Sequence, residues 1–165
     1  MLSNFDLSDI AQYYNIPLTF IGLKEELKSV PVQSGNYIIN IANEHWMALI
    51  IEKDFSFYFD SFGAPEAKDI TRFIKRSKTR HLGYNQSIIQ DLKSSYCGFY
   101  CIGLLWWVKL HRNRYKNLYD CVYAYLDRFD DDTKKNDEVL RNIFRELTKS
   151  QKKPLLNILT QKLKL

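Results

Sequence analysis

The sequence predicts an α+β domain: a small mixed or antiparallel sheet packed against one very apolar helix and flanked by further helices. Three observations carry this. Three runs rich in β-branched and aromatic residues follow one another across residues 36–60, with short turns between them. An almost unbroken apolar stretch covers residues 97–108. Beyond Tyr115, apolar residues recur at helical spacing: Leu118, Val122 and Leu126, then Leu140, Ile143, Phe144 and Leu147. With 165 residues, 45% of them apolar and 15% aromatic, the chain can bury one real core, and global disorder is excluded.

Taken in order, residues 8–14 read as a short helix behind a capping Ser or Asp, closed by Pro17. Residues 23–27 add a turn of helix, and Pro31 and Ser34-Gly35 mark loops. Residues 36–41, 45–51 and 55–60 are the three strands, with turns at Ala42-Asn43-Glu44 and Lys53-Asp54. Residues 66–76 form a basic amphipathic helix with Ile70, Phe73 and Ile74 inward. Residues 82–89 hold a short strand, best placed at Ser87-Ile88-Ile89 and ended by Gln90. The apolar helix then runs from Cys97 to about His111. Helices at 115–129 and 137–148 follow, separated by Asp130-Asp131-Asp132, and a last one at 154–159 lies beyond a hinge at Lys152-Lys153-Pro154. Residues 1–148 are read as a single domain and 149–165 as a basic, apolar tail.

The net charge of +5 is unevenly placed. Residues 132–165 carry nine Lys/Arg against four Asp/Glu, which accounts for all of it. A second basic cluster comprises Lys68, Arg72, Lys75, Arg76, Lys78 and Arg80. Such clusters are usually solvated faces; DNA or another acidic partner is the alternative. No apolar run approaches the ~20 residues of a membrane helix, so no membrane partner is expected. The start of the chain lacks the pattern of a signal peptide, so the expected setting is intracellular with reduced thiols. Three cysteines are too few for a disulfide scaffold.

The chemistry centres on Cys97. The polar loop Lys93-Ser94-Ser95 delivers it to the start of a buried helix, where unpaired N–H groups and the helix dipole favour a thiolate. Gln90, seven residues upstream, is placed to lend a side-chain N–H to an oxyanion. A reactive thiol also needs a base and an orienting acid. Of the three histidines, His111 ends the same helix, roughly 20 Å from the thiol. His81 sits in a basic loop. His45 opens a buried strand, and Asp60 ends the neighbouring one; counted across a hairpin centred at 52–53, the two fall close in register, about 5 Å apart. Glu44 points to the opposite strand face, Asp54 lies in the turn and Asp91 faces solvent. Cys97 and Cys101 lack the further ligands of a zinc site, so no metal is expected. Cys101 and Cys121 read as inert packing cysteines, and Trp106-Trp107 as core.

The ordered set His45-Trp46, Phe59-Asp60-Ser61-Phe62-Gly63, then Gln90 and Cys97-Gly98, resembles the adenovirus-type (adenain-like) cysteine proteases. The SUMO proteases share the order. Residues 16–27 and 35–40 are most similar to the proteases of virophages and Polinton-type elements. The resemblance implies a papain-like, adenain-like fold and a thiol endopeptidase, with Cys97 as nucleophile, His45 as base, Asp60 as its orienter, Gln90 as oxyanion donor and Trp46 walling the substrate cleft. It implies capsid protein precursors as substrates, cleaved after small residues during particle maturation. The expected location is the virion and the host cytoplasm or viral factory. No cofactor is implied, beyond stimulation by DNA or by the chain's own tail, and a monomer is expected. The alternatives are a deconjugase of ubiquitin-like proteins and a catalytically silent, nucleic-acid-associated particle protein.

Overall fold

A computed structural model describes residues 1–165. Five strands form one sheet in chain order: β1 (Phe20–Leu23), β2 (Gly35–Ile41), β3 (His45–Ile51), β4 (Phe55–Phe59) and β5 (His81–Tyr84). The β2–β3–β4 meander is antiparallel, and both outer strands pair in parallel. The sheet is therefore mixed. Parallel neighbours need a crossover rather than a hairpin. A 3₁₀ segment, Lys24–Ser29, lies in the first crossover, and helix α2 (Lys68–Ser77) lies in the second.

The outer strands are where the sequence pattern misleads. β1 is only four residues long, too short for alternation to mark it in the sequence. The strand expected at residues 87–89 does not form; β5 lies at His81–Tyr84 instead. The Asn85 side chain turns the chain away by donating to Ser87 O at 3.2 Å. Ile89 and Gln90 then give their N–H groups to Ser61 O, outside any ladder.

Local chemistry also moves helix ends. Helix α1 (Asn4–Tyr13) starts well before residue 8, because Ser3 and Asp6 form a capping box. Helix α3 (Cys97–His111) starts at the cysteine as expected. Helix α4 (Leu118–Leu126) is shorter than 115–129, capped by Asn117, whose Oδ1 accepts from Asp120 N at 3.0 Å. Helix α5 (Asn136–Gln151) is longer than 137–148 and ends at the left-handed Lys152. Helix α6 (Asn157–Lys162) begins three residues later than the expected 154.

The two sheet faces bury different layers. Ile38, Trp46, Ala48, Ile50, Phe57 and Phe59 join α3 in the main core. The alternate residues, Tyr37, Ile39, Met47, Leu49, Ile51 and Tyr58, pack under Ile70, Phe73 and Ile74 of α2. This period-two split follows from the strand pleat. Trp106 of α3 stacks on Tyr14 at 4.1 Å and meets Phe144 of α5 edge-on at 5.7 Å. Truncating it to Ala would cost roughly 3–5 kcal/mol. Residues 157–165 are docked: Leu159 and Leu163 are fully buried in the main core. Lys162 pairs with Asp6 at 2.7 Å, and Arg141 donates to Leu163 O at 2.9 Å. No helix is long and apolar enough to cross a membrane.

Candidate active site

His45 and Asp60 meet at one end of the sheet. The β3–β4 ladder ends with Ala48 opposite Phe59. Continued one step, that register sets Asp60 against Met47. His45 and Asp60 are therefore diagonal neighbours on one face, not a direct pair. The hairpin closes at Lys53-Asp54, with Glu52 N donating to Phe55 O at 2.8 Å, one residue later than a centre at 52–53. The Asp60 carboxylate still reaches: Oδ1 lies 2.8 Å from His45 Nε2. The same oxygen accepts the Phe62 N–H at 2.8 Å, and the Phe62 ring lies 4.9 Å from the imidazole, tilted by 30°. The turn that brings Phe62 there closes through Gly63 N to Asp60 O at 2.8 Å. Gly63 has φ +66, and a Cβ at that position would meet Gln86 O at 2.6 Å, so glycine is required.

A residue the sequence reading missed fixes the Asp60 backbone. Asn85, itself buried, accepts the Asp60 N–H through Oδ1 at 3.1 Å and donates through Nδ2 to Asp60 O at 2.6 Å. One carboxamide thus satisfies both main-chain groups of the acid where the ladder has stopped. A lone Asn in a loop carries no signal of this in a single sequence.

Cys97 is the first residue of α3 and is 3% exposed. Tyr96 offers no side-chain cap, so the helix start keeps its N–H groups for other partners. The approach of this end to β3 is close: a Cβ on Gly98 would meet Trp46 Cδ1 and Leu2 Cβ, each at 3.3 Å. His45 and the backbone N–H groups of Trp46 and Gly98 lie near the Cys97 sulfur and act on it electrostatically. Asp60 occupies Nε2 of the imidazole, which leaves Nδ1 without a hydrogen-bond partner of its own. Burial is the largest single influence on Cys97 and opposes the thiolate. His45 and the two N–H groups outweigh it and hold the thiol below its ordinary value. Burial likewise opposes the charged form of His45. Asp60, which bonds it, and the nearby Cys97 push it up to about 9. Both shifts favour a thiolate–imidazolium pair.

Gln90 is buried at 1% exposure on the far side of the Asp60 turn. Its Oε1 accepts from Ser61 Oγ at 2.6 Å, and its Nε2 donates to Ser94 O at 2.7 Å. A carboxamide nitrogen has two hydrogens, so one stays unspent. Ser61 decides the amide's orientation: its hydroxyl holds the oxygen end, which turns the nitrogen end towards the loop before Cys97. Helix α5 braces that loop. Ser94 Oγ and the Tyr100 hydroxyl both donate to Asp137 Oδ1, at 2.9 and 3.1 Å, and Asn136 Nδ2 donates to Ile89 O at 2.9 Å. Ser61, Asn136 and Asp137 also went unrecognised in the sequence.

Trp46 is 4% exposed, and its indole N–H donates to Leu2 O at 2.8 Å. The other candidates lie elsewhere. His111 packs on Trp107 at 4.2 Å, and burial depresses it. His81 stacks on Phe55 at 5.1 Å, at the start of β5. Burial pushes the Cys121 thiol up to about 11 and Cys101 well above its ordinary value, so neither is a nucleophile. Asp91 takes the Lys93 N–H at 2.8 Å within its own turn.

No protein-family model matches the chain, and no curated protein does. Among solved structures, it is similar to the ASFV pS273R protease at 15% identity, over 74% of this chain and 64% of that one, with a TM-score of 0.47. The chain thus spans less than two thirds of that protease. It is similar to AvrA bound to IP6 and CoA at 14% identity, over 90% of this chain and 68% of that one, with a TM-score of 0.48. The central domain of the uncharacterized Lpg1148 protein from Legionella pneumophila is similar at 14% identity, over 91% and 98% of the two chains, with a TM-score of 0.47.

Proposed function

We propose that the protein is a cysteine endopeptidase. One observation carries the reading: Asp60 holds the His45 imidazole at 2.8 Å, and that imidazole lies close enough to Cys97, at the uncapped start of a buried helix, to hold its thiol below the ordinary value. The Cys97 thiolate attacks a peptide carbonyl carbon, and the carbonyl becomes an oxyanion. The Cys97 N–H and the unspent Gln90 N–H stabilise that charge. His45 gives its proton to the leaving amine, and the peptide C–N bond breaks to leave a thioester. His45 then takes a proton from water, which attacks the thioester and regenerates the thiolate. Asp60 holds the ring by Nε2 throughout, so Nδ1 is left to carry the proton.

The proposed substrates are capsid protein precursors, cut after small residues during particle maturation; this part rests on the motif resemblance. The basic side chains of α2 and its flanks, Lys68, Arg72, Lys75, Arg76, Lys78 and Arg80, are all exposed, which supports DNA as a partner that confines the enzyme to the particle. The test is cleavage of a co-expressed capsid precursor, with iodoacetamide labelling at neutral pH. Wild type should cut and label selectively at Cys97, and Cys97→Ala should do neither. Undiminished cleavage by Cys97→Ala would sink the proposal. A ubiquitin-like C-terminal fluorogenic substrate, offered beside the precursor, separates an endopeptidase from a deconjugase.

A further inference from the structure

A cavity of about 450 Å³ opens beside Trp46, between the start of α1 and the β1–β2 end of the sheet. Trp46 is its link to the chemistry. It lines the cavity, and its ring edge lies 3.3 Å from where a Cβ on Gly98, the residue after Cys97, would stand. On the cavity wall stands Asn40 of β2, directly opposite Trp46 of β3 on one side and Leu23 of β1 on the other. Asn40 is 4% exposed, and its Oδ1 is buried with no hydrogen-bond partner. Buried polar side chains are normally satisfied, so this one stands out. Nδ2 makes no side-chain hydrogen bond either, so the amide keeps an unspent donor as well as an unspent acceptor. Across from it Glu26 and Asn43 line the same space. Glu26 spends one oxygen, Oε2, on the Leu23 N–H at 2.6 Å. Its charge disfavours an acidic occupant. No Lys, Arg or His lines the cavity.

The position relative to the reaction follows from strand order. Asp60 reaches His45 from beyond the end of β4, and His45 protonates the departing amine, so we place the leaving half of a substrate towards β4. The cavity lies on the β1–β2 side, where the acyl half must extend. We propose that this cavity is an acyl-side specificity subsite and that Asn40 reads a neutral carboxamide side chain, Gln or Asn, on the substrate. Such a group gives an acceptor to Asn40 and a donor to Glu26 while adding no charge, and Leu2 and Trp46 flank its methylenes. The assignment rests on the endopeptidase reading and adds to it the side chain that the site selects.

The test profiles internally quenched peptides randomised at four positions on each side of the cut, using wild type, Asn40→Leu and Asn40→Asp. Wild type should enrich Gln or Asn at one acyl-side position by tenfold or more. Asn40→Leu should lose that enrichment. Asn40→Asp, nearly isosteric, should shift the preference to Lys or Arg. An unchanged profile in both active variants, or enrichment only on the leaving side, overturns the proposal. Calorimetry of the same peptides with Cys97→Ala, with and without Asn40→Asp, reads the pocket without turnover. Equal affinity for Gln- and Ala-containing peptides there also overturns it. If wild type cuts nothing while the Gln preference in binding holds, the protease reading fails and the pocket stands.

Discussion

The two halves of the candidate site are held by different means. The acid–base half, His45 and Asp60, hangs on the end of a ladder, where Asn85, Phe62 and the Gly63 turn fix Asp60. The nucleophile half, Cys97 and Gln90, hangs on side chains from a distant helix: Asn136 and Asp137 of α5 brace the loop, and Ser61 holds the Gln90 amide. The first half draws on residues 45–85, all before Cys97. The second needs α5, more than thirty residues beyond Cys97, to be folded in place. The acid–base half should therefore survive damage that disorders the nucleophile half.

The largest effect tests whether the halves act as one unit. Cys97→Ala and His45→Ala should each lower kcat/KM by on the order of 10⁴ or more, and the double variant should be no worse than either single one. Additive losses, measured on one quenched peptide, would break the unit.

Asp60→Asn should cost roughly 10³–10⁴ in kcat and also move the pH profile. The folded value of His45 is raised, to about 9 from 6.5. Its contribution to stability is thus complete below about pH 6.5 and lost as pH rises through about 9. The lowered Cys97 value works the other way: its contribution is present above the ordinary thiol value and is lost as pH falls through the depressed one. The charged pair exists between these limits, so the alkaline limb of kcat/KM should lie near pH 9. In Asp60→Asn that limb should move to lower pH, because Asp60 supplies part of the upward shift. An unmoved limb would detach Asp60 from His45.

Smaller effects belong to the nucleophile half. Gln90→Ala should lower kcat by roughly 10²–10³ with KM little changed. Ser61→Ala should cost between about 10- and 100-fold by releasing the amide, with both pH limbs in place. Asp137→Asn should be mildest, a few-fold in kcat. Iodoacetamide labelling of Cys97 should keep its midpoint in this variant, since no contact to the sulfur is lost. A midpoint shift would show that α5 tunes the thiol as well as bracing its loop.

The same division explains what could be read in the sequence. Cys97 was legible because a polar loop running into an apolar stretch marks a helix start. His45 and Asp60 were legible because strands keep a fixed rise and face, though the turn at Lys53-Asp54 makes them diagonal rather than opposite. The meander was legible because Ile, Phe and Tyr mark its strands. β1 was hidden by its length, and β5 by the apolar decoy Ser87-Ile88-Ile89, which the Asn85 turn pulls out of the sheet. The start of α1 was readable in Ser3-x-x-Asp6 yet passed over for Ser8-Asp9. Asn85, Ser61, Asn136 and Asp137 were not legible at all. Each works through side-chain hydrogen bonds to residues far away in sequence, and such contacts leave no periodicity behind.

The Lys162–Asp6 pair has a kinetic meaning. Asp6 Oδ2 also accepts from Ser3 N and Ser3 Oγ, and the neighbouring Leu2 carbonyl holds the Trp46 indole beside the nucleophile. The last helix thus closes a loop 156 residues long in sequence. Contacts of such separation return least for the chain entropy they cost, so this seam forms late in folding and opens early under stress. Opening of this seam would free the Leu2 carbonyl from the Trp46 indole, and hydrogen exchange should then find α1 and α6 losing protection together, ahead of the central strands.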